Sequence, residues 1–102
     1  MPLGIDVYTI QPLGGDTKPS SFLNIRDDEI IAVWLRLPDK RRMPFEATAR
    51  GIRNALNYIA TNHRDERFYM DAIDTGPVQH TTVQVEPAMI PDLLKNASDD
   101  PA

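Results

Sequence analysis

The sequence predicts an α+β fold: an antiparallel sheet of about four strands, in the order β-β-α-β-β-α, with one main amphipathic helix on one face and a short C-terminal helix. Three observations carry this expectation. Phe45, Ala49, Ile52, Leu56, Ile59 and His63 recur at helical spacing and share one face of a helix. Residues 68–73 and 81–86 alternate with the period of two that a half-buried strand requires. Residues 30–37 read as a strand built on the longest apolar run, residues 30–35, which is rich in β-branched side chains. Strands grouped around a single amphipathic helix favour a sheet with that helix packed on one side.

Taken in order, residues 5–11 (Ile-Asp-Val-Tyr-Thr-Ile-Gln) read as the first strand, which Pro12 ends. Residues 12–28 are rich in Gly, Pro and Ser and read as a long loop. Phe22, Leu23 and Ile25 interrupt it, so part of the loop is expected to fold back onto the core. In the strand over 30–37, Ile31, Val33, Leu35 and Leu37 share one side, and Ile30, Ala32, Trp34 and Arg36 the other. With two largely apolar sides it is expected to be central or covered on both. Pro38-Asp39 stops it, and residues 38–43 read as a turn too short for another element.

A helix is expected over residues 44–63, with Pro44 at the first helical position and Glu46 in the first turn. Gly51 is unusual inside it, because an interior helical glycine costs roughly 1 kcal/mol against alanine. Its presence suggests close packing. Residues 67–74 set Phe68, Met70 and Ala72 against Tyr69, Asp71 and Ile73, and residues 78–86 set Thr81, Val83 and Val85 against Thr82, Gln84 and Glu86. Thr75-Gly76-Pro77 joins these two strands as a turn. Residues 87–96 read as a short helix carrying Leu93 and Leu94. The organisation is a single domain over 1–96 and a flexible tail over 97–102.

Composition narrows the function classes. The 102 residues are 41% hydrophobic and 25% charged, ordinary for one globular domain. There is no cysteine, which removes disulfides, thiolate metal sites and thiol nucleophiles. The N-terminus lacks the basic start and apolar run of a signal peptide. The longest apolar run, residues 30–35, falls far short of the ~20 residues of a membrane span. A soluble, cytoplasmic protein without membrane attachment is expected.

The net charge of −4 is unevenly spread. Residues 36–67 are net basic, while the segments on either side are net acidic. Such asymmetry marks either a face that steers an oppositely charged partner or acidic strands that cover a basic middle. The second explanation is favoured.

No catalytic constellation emerges. His63 and His80 are isolated, and Asp71 and Asp74 point to opposite faces of a regular strand, so neither a metal site nor a cofactor is expected. Ser20 and Ser21 lack a nucleophile-elbow context, and Gly14-Gly15 is not followed by a helix as a phosphate loop would be. What stands above background is an Arg-rich turn and helix face, Arg36, Lys40, Arg41, Arg42, Arg50 and Arg53, together with Trp34. Tryptophan and arginine are the residues that most often anchor protein interfaces. The leading expectation is therefore a non-enzymatic interaction protein, an accessory, regulatory or inhibitor module that binds another protein, with a homodimer as one form. The alternatives are a nucleic-acid-binding regulator using the Arg-rich face and a small enzyme or ligand-binding domain with a pocket under the 12–28 loop.

Overall fold

A computed structural model describes residues 2–13, 18–74 and 80–97. Among these the chain forms five strands and two α-helices: β1 (Gly4–Thr9), β2 (Ile30–Arg36), β3 (Arg42–Phe45), α1 (Ala49–Asn62), β4 (Phe68–Asp74), β5 (His80–Val85) and α2 (Ile90–Ala97). The architecture is α+β as expected, but the sheet has five strands and is mixed rather than antiparallel. Its order is β3-β2-β1-β4-β5, with β1 parallel to β4 and the other neighbours antiparallel. The expected turn at 75–77, the first residues of the last strand, Gly14-Gly15 and the tail beyond Ala97 lie outside the described residues.

The additional strand comes from a segment whose proline is ambiguous. Arg42–Phe45 pairs antiparallel with β2, with Pro44 opposite Trp34. Pro44 lacks an amide hydrogen, which suits the first turn of a helix but equally the edge of a sheet, and here the sheet takes it. The helix accordingly starts later, at Ala49, and Phe45 leaves its face for β3. Thr48 is the N-cap, its hydroxyl oxygen accepting from the Gly51 amide at 3.2 Å. Asp27, from the turn before β2, accepts from the Ala49 amide at 2.9 Å, so a second free donor of the first turn is satisfied from outside the helix. Gly51 is explained by this entry: a Cβ there would overlap the backbone carbonyl of Glu46, where the chain folds tightly over the helix start.

Alternation decides which side chains turn inward. Ile5 and Val7, Val33 and Leu35, Phe68, Met70 and Ala72, and Val85 are buried against α1, which contributes Ile52, Ala55, Leu56 and Ile59. The 3₁₀ helix Pro19–Asn24 lies within the segment read as loop, and its Phe22 and Leu23 are buried in the same core with Ile90 and Leu93 of α2. The fold-back of this segment is as expected. Burial of about 25 cal/mol per Å² of apolar surface makes this layer the main source of stability.

One inward assignment in β2 fails. Ile31 is 47% exposed while Ile30 is buried. The register between β1 and β2 shifts at Tyr8 and Thr9, with Tyr8 opposite Ala32 and Thr9 opposite Ile30. This bulge leaves Ile31 as the extra residue and turns its side chain out.

Candidate functional site

The helices occupy one face of the sheet, and the even residues of β1 lie on the other. The registers place the side chains of this open face in rows that cross the strands. One row runs Arg42, Arg36, Gly4, Tyr69 and Gln84, the next Pro44, Trp34, Asp6, Asp71 and Thr82, and a third joins Ala32, Tyr8 and Ile73.

At the centre lies an ion-pair network. The Arg36 Nε donates to both carboxylate oxygens of Asp6 at 3.0 Å, and its Nη2 donates to Asp71 Oδ2 at 2.6 Å. The Thr82 hydroxyl donates to the other Asp71 oxygen, also at 2.6 Å. The side chains of Arg36, Asp6 and Asp71 are only 15%, 8% and 10% exposed. The planar guanidinium fork suits this double engagement, which a lysine ammonium would not reproduce. Gly4 makes room for it, since a Cβ there would fall on the Arg36 guanidinium and crowd the Tyr69 carbonyl.

Electrostatics set Asp6 apart from an ordinary surface carboxylate. Burial pushes the Asp6 carboxyl above its usual range; Arg36 pulls it back and the negative charge of Asp71 pushes it up again. Asp39, at the exposed β2–β3 turn, moves the opposite way, because the Arg41 amide and guanidinium hold its charged form.

Beside the network the Arg42 guanidinium stands 4.9 Å above the Trp34 ring, a cation–π arrangement, and lies 3.7 Å from Asp6. Trp34 is half-buried, while Tyr8, Tyr69 and Ile73 are half-buried elsewhere on the face. Around the network the open face is therefore aromatic, with a basic corner where the β2–β3 turn adds Lys40 and Arg41.

The residues singled out from sequence separate into three places. Trp34, Arg36 and Arg42 converge on the open face. Lys40 and Arg41 lie in the adjoining turn, where Arg41 pairs with Asp39 at 2.7 Å and Lys40 adopts a φ of 75°. Arg50 and Arg53 ride on α1, on the opposite side of the sheet, so they do not form one surface with Trp34. The Arg36 pairs also join the basic middle of the chain to an acid from each flank. Asp74 faces the helix side opposite Thr9, away from Asp71, and among the described residues no group of three His, Asp or Glu side chains is placed to hold a metal ion.

No family model matches the chain, and neither the curated proteins nor the solved structures compared with it give a match. The face must be read from its own chemistry. Sequence reasoning missed Asp6, Asp71, Thr82, Tyr8 and Tyr69 as members of it. A signal was present: Asp6 between Ile5 and Val7, and Asp71 between Met70 and Ala72, are charges inside strands whose neighbours point to the core. A central-strand charge of this kind requires a partner. No helix of the described residues is long and apolar enough to cross a membrane.

Proposed function

We propose that the protein is a small non-enzymatic interaction module that binds another protein through the open face of its sheet. The observation that supports this reading best is the half-buried Trp34 beneath Arg42, on a sheet face that the helices leave uncovered. Tryptophan and arginine dominate binding hot spots because they present a large, rigid area and a directional charge together. The Arg36 network holds the floor of this surface in place, so little side-chain freedom would be lost on docking. The basic corner of Arg42, Lys40 and Arg41 suits a partner that brings an apolar side chain to Trp34 and a carboxylate to Arg42.

The same geometry weighs against the two rival readings. An acid–base enzyme needs a carboxylate at liberty to exchange protons, whereas Asp6 and Asp71 are both held by Arg36. A nucleic-acid surface needs cations gathered on one side, whereas Arg50 and Arg53 lie across the sheet from Arg42 and the chain carries −4 overall.

The test uses capture from the native host with the full chain as bait, in wild-type form and as Trp34→Ala, Arg42→Glu and the pair Arg50→Glu with Arg53→Glu. A partner retained by wild type and by the helix pair, but lost with Trp34→Ala and Arg42→Glu, supports the reading. Trp34 is the only tryptophan, so the purified partner should also shift its emission and shield it from a soluble quencher. Capture that survives both open-face variants and fails with the helix pair overturns it, as does tight binding of nucleic acid at low salt.

A further inference from the structure

The sheet ends in two unlike edges. The β3 edge is four residues long, contains Pro44, which has no amide hydrogen to offer, and is flanked by Lys40, Arg41 and Arg42. Short length, proline and cations are the devices by which proteins keep an edge strand from pairing. Strand β5 itself contains none of them, although Glu86 and Pro87 follow it directly. His80–Val85 is six residues long and reads His-Thr-Thr-Val-Gln-Val, with no proline, lysine, arginine or carboxylate and a high content of β-branched residues. It is the terminal strand of the sheet, beside β4, and its outer row of backbone donors and acceptors faces away from that neighbour. Val83 is half-buried there and packed against the core.

We propose that β5 pairs antiparallel with β5 of a second copy of this chain, across a two-fold axis normal to the sheet, so that two five-stranded sheets become one continuous sheet. The sequence of the edge is self-complementary for that arrangement. Such an axis keeps the helices of both copies on the same side, so directly opposed residues must share a face. With Val83 opposite its own counterpart, Thr81 faces Val85 on the helix side and Thr82 faces Gln84 on the open side. All these pairs are neutral, and like charges opposite one another are what destabilise cross-strand pairing. The same operation at β3 would set arginine near arginine. A second copy would also place apolar surface beside the half-buried Val83. The assembly uses the edge of the sheet rather than its open face, so it stands or falls separately from the partner reading.

The experiment has a direct form because the chain has no cysteine. Val83→Cys and Thr82→Cys each place one thiol at the proposed axis, with Met43→Cys on β3 as the comparison. Mild oxidation should link Val83→Cys into a disulfide dimer, or Thr82→Cys if the register is shifted by one pair, and leave Met43→Cys unlinked. Light scattering of the wild-type chain over a concentration series should approach twice the chain mass of 11.5 kDa. Over the same series, amide exchange should slow in β5 and stay unchanged in β3. Three outcomes overturn the proposal: a wild-type chain that keeps single-chain mass at every concentration, a dimer whose protection falls outside β5, or a β5 edge occupied by a strand of a different protein.

Discussion

The two faces of the sheet are built by the same strands and stabilised by different physics. On the helix side, Ile5, Val7, Val33, Leu35, Phe68 and Met70 are buried against α1 and the 3₁₀ helix, where burial is non-directional and proportional to area. On the open side, one residue away along each strand, burial falls on Asp6, Arg36 and Asp71, whose contribution depends on angles, distances and a full set of partners. The comparison teaches where each face is fragile. An apolar layer loses stability in proportion to what is removed. A buried ionic layer fails when one member is missing, because the others are left charged and without compensation.

The largest expected effect is the removal of that one member. Arg36→Met leaves two neighbouring carboxylates in a poorly solvated place and should cost about 3–5 kcal/mol, measured as a fall in the urea midpoint with an unchanged slope. Leu35→Ala, its neighbour on the helix side, should cost a similar amount, about 2–5 kcal/mol, through an unfilled cavity. The faces part company when whole layers are exchanged. Adding Asp6→Leu and Asp71→Leu to Arg36→Met removes every charge of the trio and should recover most of the loss. No second truncation rescues Leu35→Ala. A triple variant as unstable as Arg36→Met alone would show that the network is not the source of the cost.

How far the sequence reveals these faces follows from the same contrast. Alternation is local, so the partition of Phe68, Met70 and Ala72 from Tyr69, Asp71 and Ile73 is visible in the chain itself, as is the helix carrying Ile52, Leu56 and Ile59. Strand order is not local. The parallel pairing of β1 with β4 brings Asp6 opposite Asp71, and no periodicity within either strand encodes it. The proline at 44 satisfies two elements equally well, and only the pairing of Met43 with Leu35 decides between them. The capping hydroxyl of Thr48 would have placed the helix start correctly. For the site, Trp34 and Arg42 stand out by residue type, whereas the split between Arg42 and Arg50 depends on which side of the sheet the helix covers. An expectation of four antiparallel strands thus becomes a five-stranded mixed sheet through one misplaced proline and one non-local pairing.

Acid offers a second way to probe the open face, since the buried Asp6 carboxyl lies on it. The Asp6 carboxyl is raised by burial, so the folded chain holds that proton more tightly than the unfolded chain, whose value lies near 3.9 (about the ordinary aspartate figure). The contribution of this group is therefore complete below about pH 3.9 and lost as pH rises through the folded value, with a slope of at most about 1.4 kcal/mol per pH unit. Asp39 acts in the opposite sense: its depressed value adds stability above the unfolded figure and surrenders it as pH falls. The difference in urea midpoint between wild type and Asp6→Asn should consequently shift in favour of wild type as the solution is acidified from neutrality. A difference that moves toward Asp6→Asn in acid would mean that the attraction of Arg36 outweighs the desolvation of Asp6.

The smallest expected effect tests whether Trp34 and Arg42 belong to the structural floor or to the surface above it. Arg42 is 43% exposed in its side chain, and a cation over an aromatic ring at an exposed site is worth about 0.5–1 kcal/mol. Arg42→Ala should lower stability by no more than that, well below the loss with Arg36→Met, although both residues approach Asp6. The single tryptophan gives the second readout: without the guanidinium above it, Trp34 should become more accessible to quencher while the unfolding slope stays as it was. A loss of several kcal/mol would place Arg42 inside the network and remove the distinction between floor and surface. A small loss with a freshly accessible ring means that Arg42 covers an aromatic surface that folding does not need, which is the condition the proposed interaction anchor has to meet.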